Sequence, residues 1–217
     1  ERSNHTVPVP RGGGLAVVIA MISFLLVAGT SHLLIWALIG IAAISFVDDF
    51  YGVSVRHRLI VHLGAALLCV LALKGLVFQG LLPFYLDHLL AALVLVLYLN
   101  VYNFMDGIDG ITGVETVSLG IGIGVMALWA PGYGMGYGVI GVIVTASALG
   151  FLVWNWHPAR IFLGDSGSVA LGYLLGWLLV CLAGAGYWEV ALILPGYYWF
   201  DSTVTLLKRM LRGQRWW

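Results

Sequence analysis

Long apolar runs, separated by short polar segments, dominate the chain. The runs are continuous rather than alternating, which favours helices over strands. A helix needs about 20 apolar residues, with a range of about 17–25, to cross a bilayer core. We therefore predict an all-α fold, a polytopic transmembrane helix bundle of about eight spans in one integral-membrane domain over residues 1–217. The predicted spans are 14–29, 32–47, 58–78, 84–102, 111–129, 134–155, 167–184 and 188–207.

Composition supports a membrane protein and excludes several other classes. Hydrophobic residues make up 61% of the chain and charged residues 9%, whereas soluble domains carry roughly a quarter charged residues. The net charge is zero, so nothing indicates bulk attraction to nucleic acid. Both cysteines lie in apolar runs and are expected to be buried. The chain begins without Met and ends at "RGQRWW", so we expect it to be truncated at both ends.

Basic residues lie almost entirely on one side of the predicted bundle. Eight spans place both chain ends on that side, together with the loops 48–57, 103–110 and 156–166. Only Lys74 falls toward the other side. The positive-inside rule makes the basic side cytoplasmic. The residues concerned are Arg2, Arg11, Arg56, Arg58, Arg160, Lys208, Arg209, Arg212 and Arg215.

Five carboxylates share this cytoplasmic side, and each abuts an apolar span. Any one of them alone would be interpreted as a solvated loop residue. Together they indicate a shared polar site, because charge next to the membrane interior is costly and is kept for function. The five are Asp48, Asp49, Asp106, Asp109 and Asp165.

The segment "FVDDFYGVSVRHR" supplies the first acidic pair. Asp48 and Asp49 end span 2, and adjacent carboxylates repel each other unless they share a cation. Hard oxygen ligands suit Mg²⁺, which usually keeps water and substrate phosphate in its shell. Arg56 and Arg58 could hold phosphate in a bidentate manner. A purely structural pairing of these arginines with the acids is the alternative.

The segment "NVYNFMDGIDG" repeats polar residues every three positions. On a helix this spacing puts Asn100, Asn103, Asp106 and Asp109 on one slowly rotating face. The intervening glycines leave room for another backbone or a ligand. The alternative is a helix-capping and turn cluster, because Asp-Gly is a turn signal.

Two further segments contribute polar groups on the same side. In "NWHPARIFLGDSGS", Asp165 and Ser168 lie where span 7 begins, and a helix start is an anion site. Asp165 could instead be only an N-cap. In "HTVPVPRGGG", His5 and Arg11 precede span 1, and a flexible lead-in is the alternative.

These segments together combine acids for Mg²⁺, arginines for phosphate and glycines for close approach. That combination is typical of phosphoryl transfer. The residues alone therefore predict a Mg²⁺-dependent enzyme that handles phosphate at the cytoplasmic leaflet. One alternative is an ion-coupled transporter with intramembrane carboxylates, which would place its acids near mid-bilayer. A non-catalytic membrane scaffold is another, but it gives no reason to gather five acids.

The motifs in this order resemble the polyprenyl-phosphate N-acetylhexosamine-1-phosphate transferases, a superfamily of bacterial glycosyltransferase family 4 that includes the phospho-N-acetylmuramoyl-pentapeptide translocase. The resemblance runs from "RSNHTVPVPRGGG" through "VDDFYG" and "NVYNFMDGIDG" to "NWHPARIFLGDSGS". It implies transfer of a sugar-1-phosphate from a UDP-sugar to polyprenyl (undecaprenyl) phosphate, with release of UMP. It also implies Mg²⁺, or Mn²⁺ in its place, and a multi-pass protein of the bacterial inner membrane with its site facing the cytoplasm. The subfamily with the most similar loops begins O-antigen lipopolysaccharide synthesis. Whether the protein forms a homodimer is left open by the sequence.

The resemblance also assigns roles to residues. The acidic pair of "VDDFYG" matches the family's DD motif near the substrate phosphates, and the asparagine of "NWHPAR" matches the Asn before the family's Pro-Ala segment. The acid of "FLGDSGS" matches the one that coordinates Mg²⁺. The predicted catalytic residues are Asp48, Asp49 and Asp109, the metal ligand is Asp165, and the substrate-binding residues are Asn100, Asn103, Asp106, Asn155, Arg56, Arg58, Arg11 and Ser168.

Two departures from the family pattern qualify the prediction. Some members carry DDxxD, but here the fifth position is Gly52. The family's His-rich cytoplasmic motif would follow span 8, and this chain ends at Trp217 before reaching it. We therefore expect the whole protein to be longer, with about ten or eleven spans.

Overall fold

The computed structural model describes residues 9–73 and 75–213, which form helices and no strand. The predicted all-α fold is therefore confirmed. Predictions for Arg2, His5, Lys74 and Arg215 concern positions outside the described residues. The helices are α1 Gly13–Val27, α2 His32–Tyr51, α3 Val55–Leu71, α4 Phe84–Met105, α5 Ile111–Trp129, α6 Met135–Asn155, α7 Asp165–Gly184, α8 Trp188–Ile193 and α9 Gly196–Leu211.

Five of the described helices, α2, α4, α5, α6 and α7, are long and apolar enough to cross a membrane. The predicted third span is too long, because α3 ends at Leu71 and the chain then turns. Asp87 holds this turn by accepting hydrogen bonds from the backbone N–H groups of Val77 and Phe78, at 2.9 and 2.8 Å. The structure therefore forms a tight turn where the sequence predicts a helix.

The predicted eighth span is not a single helix. Pro195 separates the short α8 from α9, because proline lacks a backbone donor and its ring clashes with the preceding turn. The buried residues of α9 are Tyr198 and Ser202, and Tyr198 packs against Tyr102 of α4 with ring centroids 5.1 Å apart. The chain after Pro195 therefore follows α4 toward the end of the bundle that carries the acidic motifs.

Helix α7 forms the centre of the bundle. Nearly all of its residues are buried, from Ser166 to Leu182. A Cβ atom at Gly172 would meet the Tyr102 side chain at 2.8 Å, and one at Gly176 would meet Leu95 at 2.6 Å. Small residues four positions apart let two membrane helices approach closely. Gly172 and Gly176 therefore let α4 and α7 lie in close contact.

The three glycines at the start of α1, Gly12 to Gly14, form a close contact. Gly12 and Gly13 donate backbone hydrogen bonds to the Phe162 carbonyl at 3.2 and 3.0 Å, and Gly14 donates to Leu163 at 2.9 Å. A Cβ atom at Gly14 would collide with the backbone of Gly167. The segment 12–14 is therefore an ordered contact with the loop before α7, and the flexible lead-in alternative does not hold for it.

Candidate functional site

Asp48 and Arg58 form an ion pair at the end of α2. The other oxygen of Asp48, Oδ1, accepts a hydrogen bond from the backbone N–H of Val53 at 2.6 Å. Gly52 allows the backbone to form this turn, because its φ of 69° lies in the left-handed region, where glycine is favoured. The Arg58 guanidinium also lies 3.6 Å from the carboxylate of Asp165. Arg58 therefore links the end of α2 to the start of α7.

Asp49 caps α7 from a different helix. Its Oδ1 and Oδ2 accept the backbone N–H groups of Asp165 and Ser166 at 3.2 and 3.1 Å. Gly164 occupies the N-cap position and has no side chain that could do so. Asp165 is the first residue of the helix, so the alternative that it serves as the N-cap is wrong. Its side chain is 37% exposed and stays accessible to a ligand.

Asn103 and Ser168 position the Asp165 carboxylate. The Ser168 hydroxyl donates to Asn103 Oδ1 at 2.5 Å, which leaves the Asn103 amide group to donate to Asp165. These residues come from the end of α4 and the first turn of α7. Two predicted substrate-binding residues thus contact each other and orient the predicted metal ligand.

Asp106 lies just beyond α4 and close to the same cluster. The hydroxyl of Thr112 donates to its Oδ1 at 2.6 Å. The pKa of Asp106 is raised to about 6, chiefly by burial and to a smaller extent by the nearby charge of Asp165, whereas the Thr112 hydrogen bond and Arg11 oppose the shift. Arg11 and Asp106 are thus both within electrostatic reach of the cluster.

Asp109 and Asn155 hold two loops together. Asp109 Oδ2 accepts hydrogen bonds from the Ala159 backbone at 3.0 Å and from His157 Nδ1 at 2.9 Å. Asn155 Oδ1 accepts the Gly110 backbone N–H at 2.9 Å, and its amide donates to the backbone of the following loop. The loop after α4 and the loop after α6 are therefore joined by hydrogen bonds of both Asp109 and Asn155.

Two of the predicted residues, Asn100 and Arg56, make no side-chain hydrogen bond to the described residues of the carboxylate cluster or of the loops that Asp109 and Asn155 join. Asn100 donates to the Val96 carbonyl of its own helix at 2.7 Å, and its side chain is exposed. Arg56 is also exposed, and no hydrogen bond or ion pair joins it to another described residue. Each three-residue step changes the direction of the side chain by about 60° around the helix, so Asn100 and Asn103 point in directions that differ by about that angle.

Two residues of the site, Thr112 and His157, are not among the predicted site residues. Thr112 bonds Asp106, and His157 bonds Asp109. Thr112 lies two residues beyond the quoted segment "NVYNFMDGIDG", at the start of the predicted fifth span. His157 follows directly on Asn155 and Trp156 within a quoted motif, and its position there was a usable signal.

The site fits a magnesium ion held mainly by substrate. Within the described ranges, no group of three His, Cys, Asp or Glu side chains is placed to hold a metal. Mg²⁺ needs only one or two carboxylates when water and phosphate complete its shell. The accessible carboxylate of Asp165 suits that role. Both oxygens of Asp48 and of Asp49 are already bonded to protein groups.

Relatives of the chain are phospho-sugar transferases. It is 31% identical over 233 residues to the probable undecaprenyl-phosphate N-acetylglucosaminyl 1-phosphate transferase of Bacillus subtilis, across 99% of the chain and 64% of that protein. It is 37% identical over 126 residues to the phospho-N-acetylmuramoyl-pentapeptide-transferase of Moorella thermoacetica, across 55% of the chain and 36% of that protein. The protein of that name from Halalkalibacterium halodurans is 29% identical over 238 residues, across 95% of the chain and 71% of its own length.

A family match covers most of the membrane helices. The chain spans 64% and 36% of the first two relatives, so each relative has sequence that the chain does not align with. The model of glycosyl transferase family 4 matches residues 31–183, a range that includes the acidic pair of α2, the loop after α4 and the start of α7. The chain therefore belongs to glycosyl transferase family 4, as its motifs predict.

Proposed function

We propose that the protein transfers a sugar-1-phosphate of the N-acetylhexosamine type from a UDP-sugar to polyprenyl phosphate and releases UMP. The observation that carries this proposal is the meeting of Arg58 with the accessible carboxylate of Asp165 at one end of an apolar bundle. A lipid phosphate reaches such a position from the bilayer, and a nucleotide sugar reaches it from water. The name of the Bacillus subtilis relative contains both undecaprenyl phosphate and an N-acetylglucosaminyl 1-phosphate group.

Arginine is the proposed phosphate ligand. The first N–H groups of α7 are bonded to Asp49, and those of Gly167 and Ser168 are bonded to the Gly164 carbonyl. The helix start is therefore not open to an anion in the way the sequence predicts. Arg58 has a planar guanidinium that binds phosphate in a bidentate manner, and its ion pair with Asp48 fixes its direction.

Asp48 acts in this proposal as a positioning residue rather than a base. Its two oxygens accept hydrogen bonds from Val53 and Arg58, so this carboxylate holds the turn and the arginine in place. The second pKa of a phosphate monoester is near 6, so most lipid phosphate is already a dianion at neutral pH. A lipid phosphate oxygen can then attack the sugar-bearing phosphorus, with UMP as the leaving group.

Mg²⁺, or Mn²⁺ in its place, is the proposed cofactor. Asp165 would hold it together with the substrate phosphates, and Asn103 would keep that carboxylate in position. When bound, such an ion neutralises charge on the diphosphate and on the leaving group.

We further propose that the site faces the cytoplasm of a bacterial inner membrane. The distribution of basic residues supports this orientation, and UDP-sugars are cytoplasmic metabolites. The product would begin synthesis of a cell-envelope polysaccharide, with O-antigen lipopolysaccharide as the proposed pathway.

The test is release of UMP from UDP-sugars by the full-length gene product, with polyprenyl phosphate and a Mg²⁺ titration. Asp165→Asn removes the charge that would hold the ion, and we expect transfer to fall by about 10²-fold or more. Glu189→Gln, which removes an exposed acid at the start of α8, serves as the matched control with unchanged turnover. Near-normal turnover of Asp165→Asn with the same Mg²⁺ dependence would overturn the role of Asp165, and no UMP release by the unaltered protein would overturn the function.

A further inference from the structure

A cavity of about 330 Å³ lies beside the turn at residues 109–110. It is bounded by the first turns of α5, the start of the α6–α7 loop and the first turn of α9. Three polar side chains line it, those of Asp109, Glu115 and His157. The remaining walls are aliphatic and aromatic, from Ile111, Val114, Trp156 and Tyr197. A mostly apolar cavity with a few convergent polar groups is the usual form of a small-molecule site.

Glu115 is the unexplained group in this cavity. Its side chain is only 9% exposed, and its Oε1 has no hydrogen-bond partner. Of the described residues, those that line the cavity include no Lys or Arg. Asp48, Asp49 and Asp106 each accept hydrogen bonds from neighbouring groups. An unpaired buried carboxylate is unfavourable for folding, so its retention at this position points to a ligand.

The polar groups of the cavity restrict the class of ligand. The unpaired Glu115 oxygen can accept a hydrogen bond, so an occupant that carries hydroxyl or N–H donors would satisfy it. A phosphate would be repelled by Glu115 and Asp109, and uracil presents mainly carbonyl acceptors. A sugar ring offers several hydroxyl donors together with an apolar C–H face. The exposed rings of Trp156 and Tyr197 provide a surface against which such a face can pack.

The cavity adjoins the carboxylate cluster through the first turn of α5. Thr112 donates to Asp106 on the cluster side, and the Tyr198 hydroxyl reaches Thr112 at 3.4 Å from α9. Tyr197, next to it in sequence, lines the cavity. Thr112 and Tyr198 thus lie between the cavity and the Asp106 side of the cluster.

We propose that this cavity binds the sugar ring of the donor substrate and that Glu115 determines which sugars are accepted. The inference rests on the proposed transfer from a UDP-sugar. The terminal torsion of a Glu side chain is broad, so either carboxylate oxygen can turn to meet a sugar hydroxyl or an acetamido N–H. Glu115 contacts the sugar in this proposal and takes no part in bond making or breaking.

The test compares ligands with and without a sugar in the full-length protein. Binding of UDP-N-acetylglucosamine, UDP-N-acetylgalactosamine and UMP is measured by calorimetry for the unaltered protein, for Glu115→Gln and for Glu189→Gln. We expect Glu115→Gln to weaken at least one UDP-sugar by about tenfold, the effect of losing one charge-assisted hydrogen bond. Affinity for UMP should be unchanged in that variant, and all three affinities should be unchanged in Glu189→Gln.

The outcomes separate this inference from the proposed function. The sugar assignment would be overturned if Glu115→Gln lowered the affinities for UMP and for both UDP-sugars equally. It would also be overturned if Glu115→Gln left the affinities for both UDP-sugars unchanged. UMP release by the unaltered protein, measured alongside, supports the transferase in both cases. If the unaltered protein releases no UMP from either sugar nucleotide, the proposed function fails, and the sugar assignment fails with it.

Discussion

Asp49 and Asp165 lie side by side but have different tasks. Asp49 gives both carboxylate oxygens to backbone N–H groups at the start of α7, whereas Asp165 lies within the helix and points to Arg58 and Asn103. The sequence assigns both to the phosphate and metal chemistry. The structure separates a residue that stabilises a helix start from one that can meet a ligand.

Asp49→Ala should therefore lower stability more than Asp165→Ala. Loss of a helix cap costs about 1 kcal/mol, with a range of about 0.5–2, which corresponds to about 2–4 °C in Tm for a chain of this size. Asp165→Ala removes no cap, so its Tm should stay near that of the unaltered protein. Thermal unfolding in detergent measures both. Equal Tm values for the two variants would contradict the assignment of Asp49 as the cap.

Asp106 predicts a pH dependence of stability. Its pKa rises from 3.8 to about 6 on folding, chiefly through burial. Between these values the native state binds more protons than the unfolded state, so the free energy of unfolding falls as pH rises from about 4 to about 6. Asp106→Asn removes the buried charge and should raise Tm at pH about 7.5 but not at pH about 4.5. A Tm difference that is the same at both pH values would contradict this origin.

At the scale of helices, the contact between the start of α1 and the start of α7 is the tightest point near the site. A Cβ atom at Gly14 would collide with backbone atoms of Gly167, and backbone cannot move aside as a flexible side chain can. Gly14→Ala should therefore cost about 1–3 kcal/mol through overpacking. Gly40, in the middle of α2, has nothing within 4 Å of its Cβ position and provides a matched control.

Gly40→Ala should be neutral or stabilising by about 0.5–1 kcal/mol, because glycine is unfavourable inside a helix. The free energy or midpoint of unfolding of the two alanine variants gives the comparison directly. A Gly14→Ala protein as stable as Gly40→Ala would show that the two helix starts are free to separate.

The length and continuity of the apolar runs are sufficient to predict most of the helices, because a continuous apolar run of membrane length has few other solutions. The errors of this prediction occur where local chemistry overrides hydropathy. Pro195 lies inside an apolar run and breaks it, and Asp87 stabilises a turn at residues that otherwise continue a span. Both signals are present in the sequence, but their effect depends on backbone donors that hydropathy does not count.

The site residues, like the helices, were predicted in part from the sequence. The motifs bring Asp48, Asp49 and Asp165 together as predicted, since each marks a helix end on one side. Which acid caps a helix and which stays accessible depends on pairings between distant segments, and spacing contains no such information. Glu115 was missed because it lies within an apolar run, where its role depends on the neighbours that surround a cavity.

At the scale of the whole molecule, the orientation in the membrane is a prediction that labelling can test. Ser54→Cys, in the turn between α2 and α3, should react from the cytoplasm with a membrane-impermeant thiol reagent. Met135→Cys, at the start of α6, should react from the other side. The native cysteines Cys69 and Cys181 are buried, so the background should be low. A reversed pattern would remove the cytoplasmic placement of the site.

The central position of α7 also has a consequence for biogenesis. A segment leaving the translocon first meets lipid, yet nearly the whole surface of α7 ends against protein. Its neighbours α1, α2 and α4 are synthesised before it, so they can already be in the bilayer when α7 emerges to fill the space between them. A nascent chain that stops before residue 165 would leave those facing surfaces open to lipid, and membrane quality-control proteases would meet an incomplete bundle.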